Sequence, residues 1–218
     1  MRAATALADR LRHASVLLPE MGCSGVVAHS QSEIVTAAHC IPSGRSAVTV
    51  RHLELGTRTA TVLYRDDARD LAWLELSEPF AVSAFPLATG LPKVNDKLVF
   101  LGRIDRAKRP RRAVVERVAR CPHLPELDDA LFTTLDAKPG DSGAPLVNDQ
   151  GEVVALVQGG ARCHIASPVY PLVRARAARE ASLSGPSSTP AERLGPFRVE
   201  RTRDGYRLRW SFSWRLGG

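Results

Sequence analysis

The chain has 218 residues, 44% hydrophobic and 24% charged, the composition of an ordinary globular protein, which excludes a disordered or collagen-like polymer. No apolar run approaches the roughly 18 residues of a membrane-spanning helix. Thirty Lys and Arg against 23 Asp and Glu leave a net charge of +7, a balance that favours acidic partners without naming one.

Taken in chain order, residues 4 to 13 carry the pattern of a short amphipathic helix. Asp9, Arg10, Arg12 and His13 fall where a signal peptide needs an unbroken apolar stretch. The chain is therefore read as cytoplasmic if Met1 is its native start, and extracytoplasmic if a leader was removed and the cysteines are paired. From about residue 14 to 175, short apolar and β-branched runs alternate with turn residues: "CSGVVAHS", "EIVTAAHC", "SAVTVRHLEL", "TRTATVLY", "LAWLEL", "KLVFLG", "RAVVERVAR", "ALFTTL", "GAPLVND" and "GEVVALVQGG". Many short strands with regular turn signals predict an all-β antiparallel barrel or sandwich. "LELG" (53–56) and "NDQG" (148–151) suit hairpin connections.

The basic run "RIDRAKRPRR" (103–112) has no aromatic residue on which a base could stack, so it reads as a charged loop rather than a nucleic-acid platform. A second helix is predicted over 170–182, opening near Pro171. Residues 181–196 read as a Ser/Pro-rich linker. In 197–218, Tyr206, Leu208, Trp210, Phe212 and Trp214 alternate with polar residues around an Asp204-Gly205 turn. This predicts a β-hairpin whose aromatic face docks on the barrel or on a partner protein. The domain reading is an N-terminal segment (1–13), a main domain (14–180), the linker and the hairpin.

Three segments carry chemistry together: "VTAAHC" with His39, "RDLAWLEL" with Asp70, and "KPGDSGAPLV" with Ser142. Asp66 and Asp67 compete with Asp70, which is preferred because the strand pattern begins immediately after it. His, Asp and Ser in this order form one of the known arrangements of a nucleophilic triad. With these boxes, residues 20 to 178 or so resemble the trypsin-like (chymotrypsin-fold) serine proteases, of bacterial type. The resemblance implies two antiparallel six-stranded barrels and a serine endopeptidase that needs no cofactor or metal and acts on protein or peptide substrates. Ser142 would be the nucleophile, His39 the general base and Asp70 its orienting acid, with the Gly140 and Ser142 amides as the oxyanion hole.

The same resemblance implies a Cys23–Cys40 disulfide beneath His39 and substrate-backbone pairing along Gln158, Gly159 and Gly160. It puts Asp136, six residues before the nucleophile, at the base of a specificity pocket, which implies cleavage after Arg or Lys. Lys138 nearby could neutralise Asp136, and Pro168 stands where relatives carry a pocket glycine. Cys121 and Cys163 form either a second disulfide or, with His123 and His164, a zinc-binding set. Asp141 needs a cation if buried, and Arg103 is the first choice. Two other readings stand beside the enzyme: a silent protease-fold scaffold that binds a partner through its hairpin, and a basic binder of nucleic acid or membrane surfaces.

Overall fold

Val, Ile and Thr crowd the extended stretches of this chain because a branched Cβ suits a pleated surface better than a helix. The computed structural model describes residues 2–106, 109–121, 126–158, 165–183, 193–194, 197–202 and 205–210, with the backbone course alone for 2–5 and from 193 onward. The chain divides into two units, Met1–Arg176 and Ala177–Gly218.

In the first unit, helix α1 (Arg2–Ala14) leads into strands β1 (Ser15–Leu18), β2 (Cys23–Val27), β3 (Glu33–Thr36), β4 (Ala47–His52), β5 (Gly56–Asp66) and β6 (Leu71–Leu76). They close into an antiparallel barrel in the order β1-β2-β3-β6-β5-β4. Strands β7 (Lys97–Phe100), β8 (Arg111–Ala119), β9 (Ala130–Thr133), β10 (Pro145–Val147), β11 (Val153–Val157) and β12 (Ile165–Pro168) close a second barrel in the order β10-β11-β12-β9-β8-β7. The chain thus has the two six-stranded barrels of the chymotrypsin-like fold. Helix α2 (Tyr170–Leu183) follows, matching the periodicity of 170–182.

The predicted hairpins form. His52 pairs with Gly56 across the first connection, and Gly151 N–H donates to the Asn148 carbonyl (3.0 Å) in the second. All four residues of β1 are buried, and its run "SVLL" packs against Leu11 and Ala14 of α1 in one core with Ile34, Leu74, Phe80 and Phe85. Arg10 fastens α1 by donating to the Ala84 carbonyl (2.7 Å) while its guanidinium lies over the Phe85 ring. That core runs on into Val147, Val153 and Leu156 of the second barrel. The two barrels therefore share buried apolar surface, which resists their separation.

In the second unit, β13 (Arg193–Leu194), β14 (Phe197–Thr202) and β15 (Gly205–Trp210) form a three-stranded sheet. Two expectations change here. Part of the predicted linker is a strand, since β13 pairs with β14. Thr202 pairs with Gly205, so Gly205 opens a strand instead of completing a turn.

The Cys23–Cys40 disulfide forms, with Cα atoms 5.7 Å apart and 17 residues between the two positions. The second expected bridge does not: Cys121 is a buried free thiol, while Cys163, His123 and His164 lie outside the described residues. In an apolar burial a thiol behaves as a small hydrophobe, and Cys121 packs beside Leu127, Ala130 and Ile165. Replacing Cys23 and Cys40 together by alanine is expected to lower stability by about 3 kcal/mol, the loop-closure contribution of a bridge of this span. Urea unfolding measures it, and a change below about 1 kcal/mol would mean that other contacts hold the loop.

Candidate active site

His39 sits in a single 3₁₀ turn, Ala38–Cys40, that ends β3. The small side chains of Ala37 and Ala38 are buried, so the turn lies flat against the barrel while Cys40 anchors it through the disulfide. The histidine itself remains half-exposed. Its Nδ1 lies 2.7 Å from Asp70 Oδ2, and its backbone N–H donates to Asp70 Oδ1 (2.8 Å). Both carboxylate oxygens thus face the same residue. Asp66 and Asp67, the sequence competitors, are engaged elsewhere: Asp66 accepts from the Arg69 amide (3.0 Å) and Asp67 from Arg65 Nε (2.7 Å).

Asp70 has a left-handed backbone (φ 52°), a conformation that costs a non-glycine residue about 1 kcal/mol. The second barrel supplies a brace. The Arg69 carbonyl, immediately before Asp70, accepts hydrogen bonds from Gln158 Nε2 (3.1 Å) and Ser167 Oγ (2.6 Å). Gln158 Nε2 also contacts Ser167 Oγ, and both residues are buried. Gln158 Oε1 is buried with no hydrogen-bond partner.

Ser142 stands in the turn after β9, between Gly140 (φ 95°) and Gly143 (φ 79°), both in the left-handed region that favours glycine. Gly143 has a second reason to lack a side chain. A Cβ there would stand 2.1 Å from the Ser24 carbonyl oxygen and 2.4 Å from Thr36 Oγ1, so the turn presses directly on the first barrel. Ser24 clasps it: its N–H donates to the Ser142 carbonyl (2.8 Å) and its Oγ to the Gly140 carbonyl (2.9 Å). With both carbonyls held on that side, the Gly140 and Ser142 amides have no acceptor among the described residues. Ser142 Oγ donates to the Gln158 carbonyl (2.9 Å) rather than to His39.

Asp141, 5% exposed, is paired differently from the sequence expectation. Oδ1 accepts from the backbone N–H of Arg103 (2.8 Å) and Oδ2 from that of Lys138 (2.9 Å). The nearest cation is Arg111, 3.8 Å from Oδ2. The Arg103 guanidinium points away, donating to the Asp105 carboxylate and to the Gly22 carbonyl. Its hydrogen bonds hold the Asp105 carboxyl below the usual range. Two amides and a cation suffice to seat a buried carboxylate, because charge-assisted hydrogen bonds replace its hydration.

Asp136 does not lie where the resemblance puts it. Its side chain is exposed, and its carbonyl accepts from Arg111 (3.0 Å). An exposed carboxylate keeps its water and cannot form the floor of a desolvated pocket. Gly159 and Gly160 lie outside the described residues; Pro168 is buried in β12 opposite Ala155. Sequence reasoning missed Ser24, Ser167 and Arg111, whose roles come from contacts made across long chain separations. The run "CSG", a polar residue inside a fully buried strand, was the one local signal for Ser24.

The trypsin-like peptidase domain family matches residues 23–156, and the chain belongs to it. A chloroplastic Do-like protease 2 of Arabidopsis thaliana is 31% identical over 134 residues, covering 57% of this chain. The match spans 21% of that relative's own length. Among solved structures, Deg5 aligns with a TM-score of 0.60 at 20% identity, covering 79% of this chain and 91% of its own. The Rv3671c protease in its inactive form aligns with a TM-score of 0.62 at 23% identity, covering 80% and 94%. At these identities the two structures are similar in fold alone.

Gly143→Ala is expected to destabilise the protein by about 3 kcal/mol, combining left-handed strain with overpacking. Gly44→Ala, at an equally left-handed position (φ 73°) with nothing within 4 Å, should cost only the strain, about 1 kcal/mol. Equal losses in thermal or urea unfolding would contradict the contact between Gly143 and the first barrel.

Proposed function

We propose that the protein is a serine endopeptidase in which Ser142 attacks the peptide carbonyl, His39 moves the proton and Asp70 orients His39. The observation that carries this reading is the double engagement of Asp70 by the ring and the backbone amide of His39. A carboxylate on Nδ1 fixes the tautomer that leaves Nε2 as the proton acceptor.

Ser142 Oγ rests on the Gln158 carbonyl, and a rotation about its Cα–Cβ bond exchanges that acceptor for Nε2. The exchange gives up a single hydrogen bond, about 1 kcal/mol. Oγ then bonds to the substrate carbonyl carbon as its proton passes to Nε2. The carbonyl π pair moves onto oxygen, where the Gly140 and Ser142 amides receive it. Collapse expels the amine, which takes the proton from His39 and leaves an acyl-serine. Water attacks this ester with His39 again as base, releasing the acid and restoring Ser142. Donors of this kind are worth about 3 kcal/mol each in the transition state.

Gln158 gives no support to substrate pairing along that segment, because β11 lies between β10 and β12, the Gln158 N–H donates to the Ile165 carbonyl and the Gln158 carbonyl accepts from Ser142 Oγ. The exposed Asp136 gives no support to a basic cut-site preference. The Cys23–Cys40 bridge favours an oxidising, extracytoplasmic location. Ser142→Ala and His39→Ala are expected to abolish labelling by a fluorophosphonate probe, and Asp70→Asn to slow peptide hydrolysis about 10⁴-fold. Labelling that persists in Ser142→Ala ends the enzyme reading and leaves the scaffold reading.

A further inference from the structure

The basic loop set aside by the sequence reading lines a cavity of about 560 Å³ formed by Gly102, Arg103, Arg106, Arg109, Arg111, Lys138, Pro139 and Asp141. Five cationic side chains thus face one carboxylate. The carboxylate, Asp141, is already satisfied by two amides and by Arg111. Arg103 is spent on Asp105 and the Gly22 carbonyl, and Arg111 is held by the Asp136 carbonyl and the Phe100 ring. The side chains of Arg106, Arg109 and Lys138 make no hydrogen bond and no ion pair within 4 Å among the described residues, although Arg106 acts on the Asp105 carboxylate at longer range. Like charges converging on one recess repel each other unless an anion lies between them.

We propose that this cavity binds a compact phosphate-class oxyanion, and that its occupancy braces the turn carrying Ser142. Guanidinium groups match phosphate oxygens through paired N–H donors, and a lysine supplies a point charge. No aromatic residue lines the recess, so the bases of a nucleic-acid chain would find no stacking partner.

Lys138 couples the site to the chemistry. Its amide donates to Asp141 Oδ2 (2.9 Å) and its carbonyl accepts from the Asp141 amide (2.9 Å), closing the turn that aims the Gly140 and Ser142 amides. An anion held between Lys138, Arg106 and Arg109 braces that turn through Lys138. The binding claim stands alone; the coupling claim rests on the peptidase reading above.

The test uses the full chain and inorganic pyrophosphate at constant ionic strength. Calorimetry is expected to show saturable 1:1 binding, weakened more than about tenfold in Arg106→Glu/Arg109→Glu, since each lost charged hydrogen bond is worth roughly that factor. The unfolding temperature without ligand checks that the variant is folded; if it is not, Arg106→Gln replaces it and should show a smaller loss of the same sign. Pyrophosphate should also raise the rate of fluorophosphonate labelling severalfold in the wild type and leave the variant at the unliganded wild-type rate. A phosphoserine peptide that competes with pyrophosphate would place the phosphoryl group on a protein segment instead of in free solution. Undiminished binding in both variants, or an effect reproduced by sodium chloride alone, overturns the site. Binding without any labelling refutes the peptidase reading and leaves the anion site standing.

Discussion

Ser24 is the residue on which the arrangement depends. It follows Cys23, which is bonded covalently to Cys40 beside His39, and its own backbone and side chain hold the carbonyls of Ser142 and Gly140. One short piece of β2 therefore positions both the His39 turn and the Ser142 turn, although these belong to different barrels. Thr36 completes the clasp by donating to the Ser24 carbonyl (2.7 Å). Gly143 lets the second barrel approach to this distance. Without that approach, groups separated by a hundred residues of chain would have only the shared apolar core to align them, and burial is not directional.

A second brace runs the other way. Gln158 and Ser167 reach from the second barrel to the carbonyl preceding Asp70, stabilising the left-handed backbone that presents its carboxylate to His39. Each barrel thus holds a residue of the other's part of the candidate site. Such reciprocal support makes the site a cooperative property of the docked pair, because losing either brace loosens a residue that neither barrel fixes alone. Charge is handled with similar economy at Asp141, whose oxygens are met by main-chain amides that no substitution except proline removes directly.

Much of this was legible in the residues, for physical reasons. Branched and apolar runs bounded by turns announced the strands, and the boxes around His39 and Asp70 singled out two residues that the fold brings together. Asp70 could be preferred over Asp66 and Asp67 because the strand begins directly after it. The failures are equally physical. Arg103 was expected to neutralise Asp141 by its side chain but meets it through its backbone N–H, while the nearby charge comes from Arg111, a distinction that local sequence does not reveal. Asp136 was expected in a pocket floor, but whether a loop carboxylate is covered depends on its neighbours in space. Cys121 is buried without a bridge, showing that an even number of cysteines allows pairing without enforcing it. Strand β13 was hidden because "RL" is too short to show any period.

The seating of Asp141 has a consequence for how the turn around Ser142 is formed. Among the described residues, every group that receives the carboxylate comes from the segments around residues 103, 111 and 138, all in or beside the second barrel. The acid can settle as soon as that barrel closes. The turn that carries Ser142 therefore takes its shape from its own barrel.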